Sequence, residues 1–291
     1  SHKYDTTLYE FYWSNFSMNG LSIKQMIDAG VHFGHRSKYW NPKMEPYIYT
    51  THKKLHIINL EKSSERFNEA AKYIQKLISN NGKLMFIGTK RAASDIVKKY
   101  SDLTSMPYVN NRWLGGLLTN FNTIRKSISK LEDLRTRLKN QKIYNLSKKQ
   151  IIDLKRDIER LEKNLLGIQN LTKLPDAIFV IDTRYERIAI QEANKLNIPV
   201  IALVDSNNSF EGVDYMIPAN DDAMSSIDLF LKSISEIILQ NKPKKTSQSS
   251  DVTSDQRKSI KAKKIVKTPE ANKTVKPQRD IKDKTSKEKD K

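Results

Sequence analysis

Along the 291-residue chain the commonest pattern is a short, continuous apolar run followed by a series with helical spacing. "KLMFIGTKRAASDIVKKY" passes from an apolar stretch through a turn at Gly88 and Thr89 into a helix. "PDAIFVID" precedes "RYERIAIQEANKLN", "IPVIALVD" comes next, and "YMIPAN" leads to a helix from about Asp222 to Leu239. A strand buried on both faces has no polar alternation, so such runs predict a parallel sheet with helices on both sides. Nearer the start, Ser22 is placed to cap a short helix, "IKQMIDAG", that Gly30 stops. "EKSSERFNEAAKYIQKLISNNG" carries Phe67, Ala71, Ile74 and Ile78 at helical spacing. Between these two helices, the prolines, glycine and aromatics of "VHFGHRSKYWNPKMEPYIYTTHKKLHIINL" read as an ordered loop ending in a short strand, His56 to Leu60.

A second pattern occupies the middle of the chain. Ile124, Ile128, Leu131, Leu134 and Leu138 recur every three or four positions, and Ile151, Leu154, Ile158, Leu161 and Leu165 repeat the series. Two such helices with a short polar connection predict an antiparallel hairpin too long for one sheet's core. The expected architecture is therefore α/β: a doubly wound, mainly parallel sheet of the flavodoxin or Rossmann kind, with a protruding antiparallel coiled-coil hairpin inserted at about residues 121–170.

The ends carry no such periodicity. Residues 241–291 hold 17 Lys/Arg against 7 Asp/Glu, about +10 of the total +19, and read as a Lys-rich disordered tail. Residues 1–20 read as an N-terminal extension, with Met18 as an alternative start, leaving 21–240 as the α/β domain. That opening stretch lacks the basic region and apolar core of a signal peptide, and Asp5 and Glu10 argue against a transit peptide. The tail is either an RNA-binding arm or a solvated appendage. A balance this basic favours a polyanion, nucleic acid first and an acidic membrane surface second, through release of condensed counterions. Cysteine is absent, which excludes disulfides and thiolate metal sites, and no apolar run approaches the length of a membrane span.

Candidate chemistry narrows quickly. "FIGTKRAASD" has one glycine where a dinucleotide fingerprint needs three, and it lacks the P-loop spacing. Lys90 and Arg91 nonetheless stand at a helix amino end, where free N–H groups attract anions, and the alternative is a plain turn with two solvated cations. His32, His35, His52 and His56 show no H-E-x-x-H arrangement, so packing is preferred to a metal. No nucleophile elbow occurs. Asp182 and Asp205, each closing an apolar run, are read as turn caps. Two stretches interleave cations with aromatics: Arg36, Lys38 and Lys43 beside Tyr39 and Trp40, and Arg112 and Trp113 beside Gly115 and Gly116. Cations contact phosphates, planar groups stack on unpaired bases and glycine admits close backbone approach; both tryptophans equally suit loop anchoring.

Seven blocks in order, "AGVHFGHRSKYWNPKMEPYIY", "HIINLEK", "FIGTKRAAS", "VNNRWLGGLLTNF", "LPDAIFVID", "IAIQEANKLNIPVIALVDSN" and "GVDYMIPANDDA", resemble the small-subunit ribosomal protein S-two family of bacterial or organellar type. The resemblance covers about Leu21 to Leu239. It implies a non-catalytic ribosomal component that binds small-subunit ribosomal RNA between head and body and helps dock the large ribosomal protein S-one. It implies no cofactor, metal, membrane or small-molecule substrate. By the same matching, Arg36, Lys38, Lys43, Lys90, Arg91 and Arg112 are expected near RNA. Trp113, Gly115, Gly116 and Asn120 are expected to build the hairpin root, with Arg112 as a polar anchor and Thr119 or Asn120 as a helix cap. The chain departs from the family at Leu171-Thr172-Lys173, where paired glycines are common, and at Phe210, where proline is expected. A bacterial cytoplasm is expected, an organelle being the alternative. A different reading makes the chain a protein-interaction module acting outside the ribosome through the hairpin.

Overall fold

The computed structural model describes residues 21–140, 144 and 147–243; the expectations for residues 1–20 and for the chain beyond 243 lie outside that range. Every apolar run read as a buried strand becomes one. β4 (Leu84–Ile87), β6 (Ala177–Ile181) and β7 (Val200–Val204) are buried at every position, and β5 (Tyr108–Val109) and β8 (Tyr215–Pro218) complete a five-stranded sheet. All neighbours run parallel, in the order β5-β4-β6-β7-β8.

Alternate strand residues feed two cores. Leu84, Phe86, Phe179, Ile201 and Ile217 face α2 (Leu60–Ser79), α3 (Arg91–Thr104) and α7 (Met224–Asn241). Met85, Ile87, Ile178, Val180 and Ala202 face the opposite way, toward α6 (Arg187–Lys195) and the loop holding Trp113 and Leu117. This is the doubly wound arrangement. Each fully buried phenylalanine, such as Phe86 and Phe179 with ring centroids 5.9 Å apart, contributes about 1.5–3 kcal/mol.

Two long helices, α4 (Phe121–Lys139) and α5 (Lys148–Leu165), lie between β5 and β6 in sequence and pack on each other. Their apolar positions, including Ile128, Leu131, Leu134 and Ile158, are continuous with the second core, and Arg135 forks onto Glu162 at 2.6 and 2.8 Å.

The segment after α1 (Ile23–Asp28) corrects the expectation of a loop. β1 (Phe33–Arg36), β2 (Ile48–His52) and β3 (Leu55–Ile58) form a separate antiparallel sheet in the order β1-β3-β2. The strand expected at His56 to Leu60 begins one residue earlier and ends at Ile58, because Asn59 caps α2 by accepting from the N–H groups of Glu61 and Lys62. The tight turn joining β2 to β3 is Lys53-Lys54, both with positive φ. Asn-Gly would have announced such a hairpin; Lys-Lys does not.

Candidate nucleic-acid interface and the charge network behind it

In an open parallel sheet, ligands bind outside the carboxyl ends of the strands where the strand order reverses. Here that point lies between β4 and β6, and the chain's own side chains fill it. Lys90, in the turn after β4, places its ammonium 3.2 Å from Asp182, 2.9 Å from Asp221 and against Asp222. Burial works against the Lys90 charge, but these carboxylates overcome it and hold its pKa above the ordinary lysine value. Asn208 donates to Asp182 and Asp221 at 3.2 and 2.7 Å. Burial, with Asp182 and Asp205 nearby, pushes the Asp221 carboxyl up to about 7. Thr89 gives both its N–H and its hydroxyl to Glu186, whose own pKa burial raises.

The antiparallel sheet is tied to this network by His35. Its Nδ1 lies 3.0 Å from buried Asp205 and its Nε2 3.1 Å from Asp222; the Asp205 bond leads in raising its pKa, against burial. The His35 N–H donates to the Ser206 hydroxyl at 2.8 Å, and the Asn41 N–H to the Ser206 carbonyl at 2.8 Å. This close seating requires Gly34, where an added Cβ would stand 2.7 Å from Ser206 Oγ and 3.1 Å from the His56 carbonyl. Four aspartates around one lysine and one histidine make the crevice negative on balance, which repels phosphate.

The six cations expected near RNA therefore separate. Lys90 points inward. Lys43 pairs with Glu211 on the surface. Arg36, Lys38, Arg91 and Arg112 are exposed, and among the described residues none of them pairs with a carboxylate. Asp182 caps its turn as expected, accepting from the N–H groups of Arg184 and Tyr185 at 3.0 Å each. His56 is buried against Trp40, its Nδ1 3.2 Å from the Thr51 hydroxyl, and burial lowers its pKa and that of His32. Among the described residues no group of three His, Asp or Glu is placed to hold a metal ion. No described helix is long and apolar enough to cross a membrane.

The "NNRWLGGLLTNF" loop has a different polar anchor from the one expected. Arg112 lies on the surface, and buried Glu192 of α6 holds the loop instead. Glu192 Oε1 accepts from Trp113 Nε1 at 3.1 Å and the Gly116 N–H at 2.7 Å. Oε2 accepts from the N–H groups of Leu118 and Thr119 and from the Thr119 hydroxyl at 3.0–3.1 Å. Burial pushes the Glu192 pKa up, but these donors outweigh it and bring it below the usual value. Gly116 has φ +83°, which favours glycine; a Cβ at Gly115 would meet open space. Asn120 occupies the N-cap position of α4 and its carbonyl accepts from the Thr123 N–H at 3.1 Å, but its side chain accepts from the Thr123 hydroxyl and makes no capping bond to a backbone N–H. Glu192 was detectable in sequence as a carboxylate on the same helical stripe as Ala189 and Ala193. His35, Asn208 and Asp221 carried no local signal.

The comparison with known families agrees with this architecture: the model of the family described as Ribosomal protein S2 matches residues 26–241, a span that includes every strand of both sheets, and the chain belongs to that family of structural, RNA-associated components of the small ribosomal subunit.

Proposed function

We propose that this chain binds small-subunit ribosomal RNA at the junction of head and body and helps dock the large ribosomal protein S-one. In this reading residues 21–240 are the RNA-facing domain and α4 and α5 form a coiled-coil arm projecting from it. The lysines of residues 241–291 add sequence-independent attraction. The observation that carries the RNA contact is the set of exposed cations that have no carboxylate partner among the described residues, Arg36, Lys38, Arg91 and Arg112. A cation already neutralised by a neighbour releases little counterion on meeting a phosphate; an unpaired one releases it fully.

The test is sedimentation of cell lysate through a sucrose gradient at physiological magnesium, following this chain and S-one by mass spectrometry. The expected result is near-stoichiometric migration of the wild type with small subunits. Charge reversal at Arg36, Lys38, Arg91 and Arg112 together should shift the chain to the top of the gradient and deplete S-one from the subunits. A wild-type chain that stays at the top while other ribosomal proteins remain bound would overturn the reading.

A further inference from the structure

The antiparallel sheet has one face against the body and one face toward solvent. Ladder partners share a face, and faces alternate along each strand. His56 and Ile58 are buried on the inner side. The register Phe33↔Ile57 and Thr50↔Ile57 makes one outer row, and Arg36↔Leu55 and His52↔Leu55 makes the next, a register shift between Phe33 and Arg36 bringing both to the same face. The outer face thus presents Phe33, 48 % exposed, and Leu55, 36 % exposed, beside half-buried Ile57.

Cations rim this apolar centre. Arg36 lies in the second row and Lys53 and Lys54 form the turn at its end. The Ser37 N–H donates to the Lys54 carbonyl at 2.9 Å, which brings the short turn carrying Lys38 and Tyr39 alongside. Tyr39 is 60 % exposed, with the Lys38 ammonium 5.8 Å from its ring centroid. None of these four cations pairs with a carboxylate among the described residues, and Glu45 is the one acid between Val31 and Leu60. Both turn lysines hold positive φ, a conformation Asn-Gly would adopt without strain, so charge stands there at a conformational cost.

We propose that this outer face is a platform for unpaired RNA bases, with Phe33 and Leu55 under the bases and Arg36, Lys38, Lys53 and Lys54 on the flanking phosphates. The proposal rests on the RNA-binding reading above and specifies which form of RNA the sheet takes. In a duplex the bases stack on one another and offer a protein mainly phosphates and groove edges, leaving exposed apolar side chains without a partner. An unpaired base brings a free π-face to an aromatic ring and a phosphate to each nearby cation. A protein partner would cover the apolar centre equally well, but the rim of four unpaired cations favours a polyanion.

Fluorescence anisotropy of the full chain with a labelled single-stranded oligoadenylate and a labelled perfect RNA duplex, at matched salt, tests this. Phe33→Ala should weaken oligoadenylate binding by about 5- to 100-fold and leave duplex binding within about twofold, which also reports that the variant is folded. Phe33→Tyr should retain both. Lys53→Gln with Lys54→Gln should weaken both and lower the logarithmic salt slope for the single strand by about 1.4. Phe33→Ala weakening both RNAs equally, or neither, overturns the platform. If Phe33→Ala keeps both affinities yet loses its place on the small subunit, the face meets protein instead. A wild type that binds neither RNA defeats the underlying RNA reading, a result distinct from these.

Discussion

Replacing Glu192 with glutamine converts one of two oxygens that each serve at least two donors into an NH2 group. If Oε1 is converted, Trp113 Nε1 and the Gly116 N–H lose their acceptor; if Oε2 is converted, the N–H groups of Leu118 and Thr119 do. The Thr119 hydroxyl can turn to accept, but the N–H donors cannot. Each buried donor left unsatisfied costs about 1–3 kcal/mol, so Glu192→Gln should destabilise by about 2–6 kcal/mol, against a typical total of about 5–15 kcal/mol. Urea unfolding with an unchanged m-value should register the loss, and hydrogen exchange should accelerate at Gly116, Leu118 and Thr119. The pH dependence has a definite sign. The folded pKa of Glu192 lies below its unfolded value of about 4.3, so its contribution is present above that value and is lost as pH falls through the folded pKa. Glu192→Gln should lack this part of the acid sensitivity. A loss smaller than about 1 kcal/mol with unchanged exchange in the loop would refute the role of Glu192 as its anchor.

Three further outcomes follow from the network at the strand ends. The folded pKa of His35 is raised, so its contribution is full below about pH 6.5 and fades as pH rises through the folded value; His35→Gln should flatten the melting temperature across that window, with Asp205, Asp221, Asp222 and Lys90 as the facing charges. Lys90→Met leaves buried Asp182 and Asp221 without their cation, and Asp222 with His35 alone, and should cost about 3 kcal/mol or more by chemical denaturation. Because the Asp221 carboxyl already stands at about 7 and would move higher, that variant should lose stability as pH rises from about 6 to 8. Gly34→Ala should destabilise by about 1–3 kcal/mol through overpacking against Ser206 and the His56 carbonyl, whereas Gly115→Ala, with nothing within 4 Å, should stay near wild type; equal thermal melts for the two would contradict the close seating of β1.

The parallel sheet was legible because β4, β6 and β7 are apolar without interruption, and only burial on both faces tolerates that pattern. The antiparallel sheet was not, apart from β3, since β1 and β2 are short, the prolines between them signal a loop, and the turn from β2 to β3 is Lys-Lys instead of a standard turn pair. Lys90 shows the limit at the site. Its neighbours Gly88, Thr89 and Arg91 suggest an anion-binding turn, while the partners that fix its role, Asp182 and Asp221, lie 92 and 131 positions away and are brought together only by the winding of the sheet. The loop after Val109 is legible as a structured cluster, but the resemblance points to Arg112 as its polar anchor, and Arg112 lies on the surface. Glu192 is 79 positions from Trp113 and signalled itself only by standing on an apolar helical stripe.

The insertion of α4 and α5 between β5 and β6 bears on how the chain folds. β4 and β6 are adjacent in the sheet, yet the contact at their amino ends, the Lys83 N–H to Asp176, spans 93 residues. The entropy of closing such a loop grows only with the logarithm of its length: doubling the whole separation would cost about 0.6 kcal/mol, and halving or doubling the insert, which is about half of it, changes stability by less. Kinetically the separation weighs more, because the central strand pair depends on a distant contact while β4, α3 and β5 are neighbours along the chain. The two helices can thus vary in length at small thermodynamic cost, but the middle of the sheet cannot form until the chain on either side of them has been drawn together.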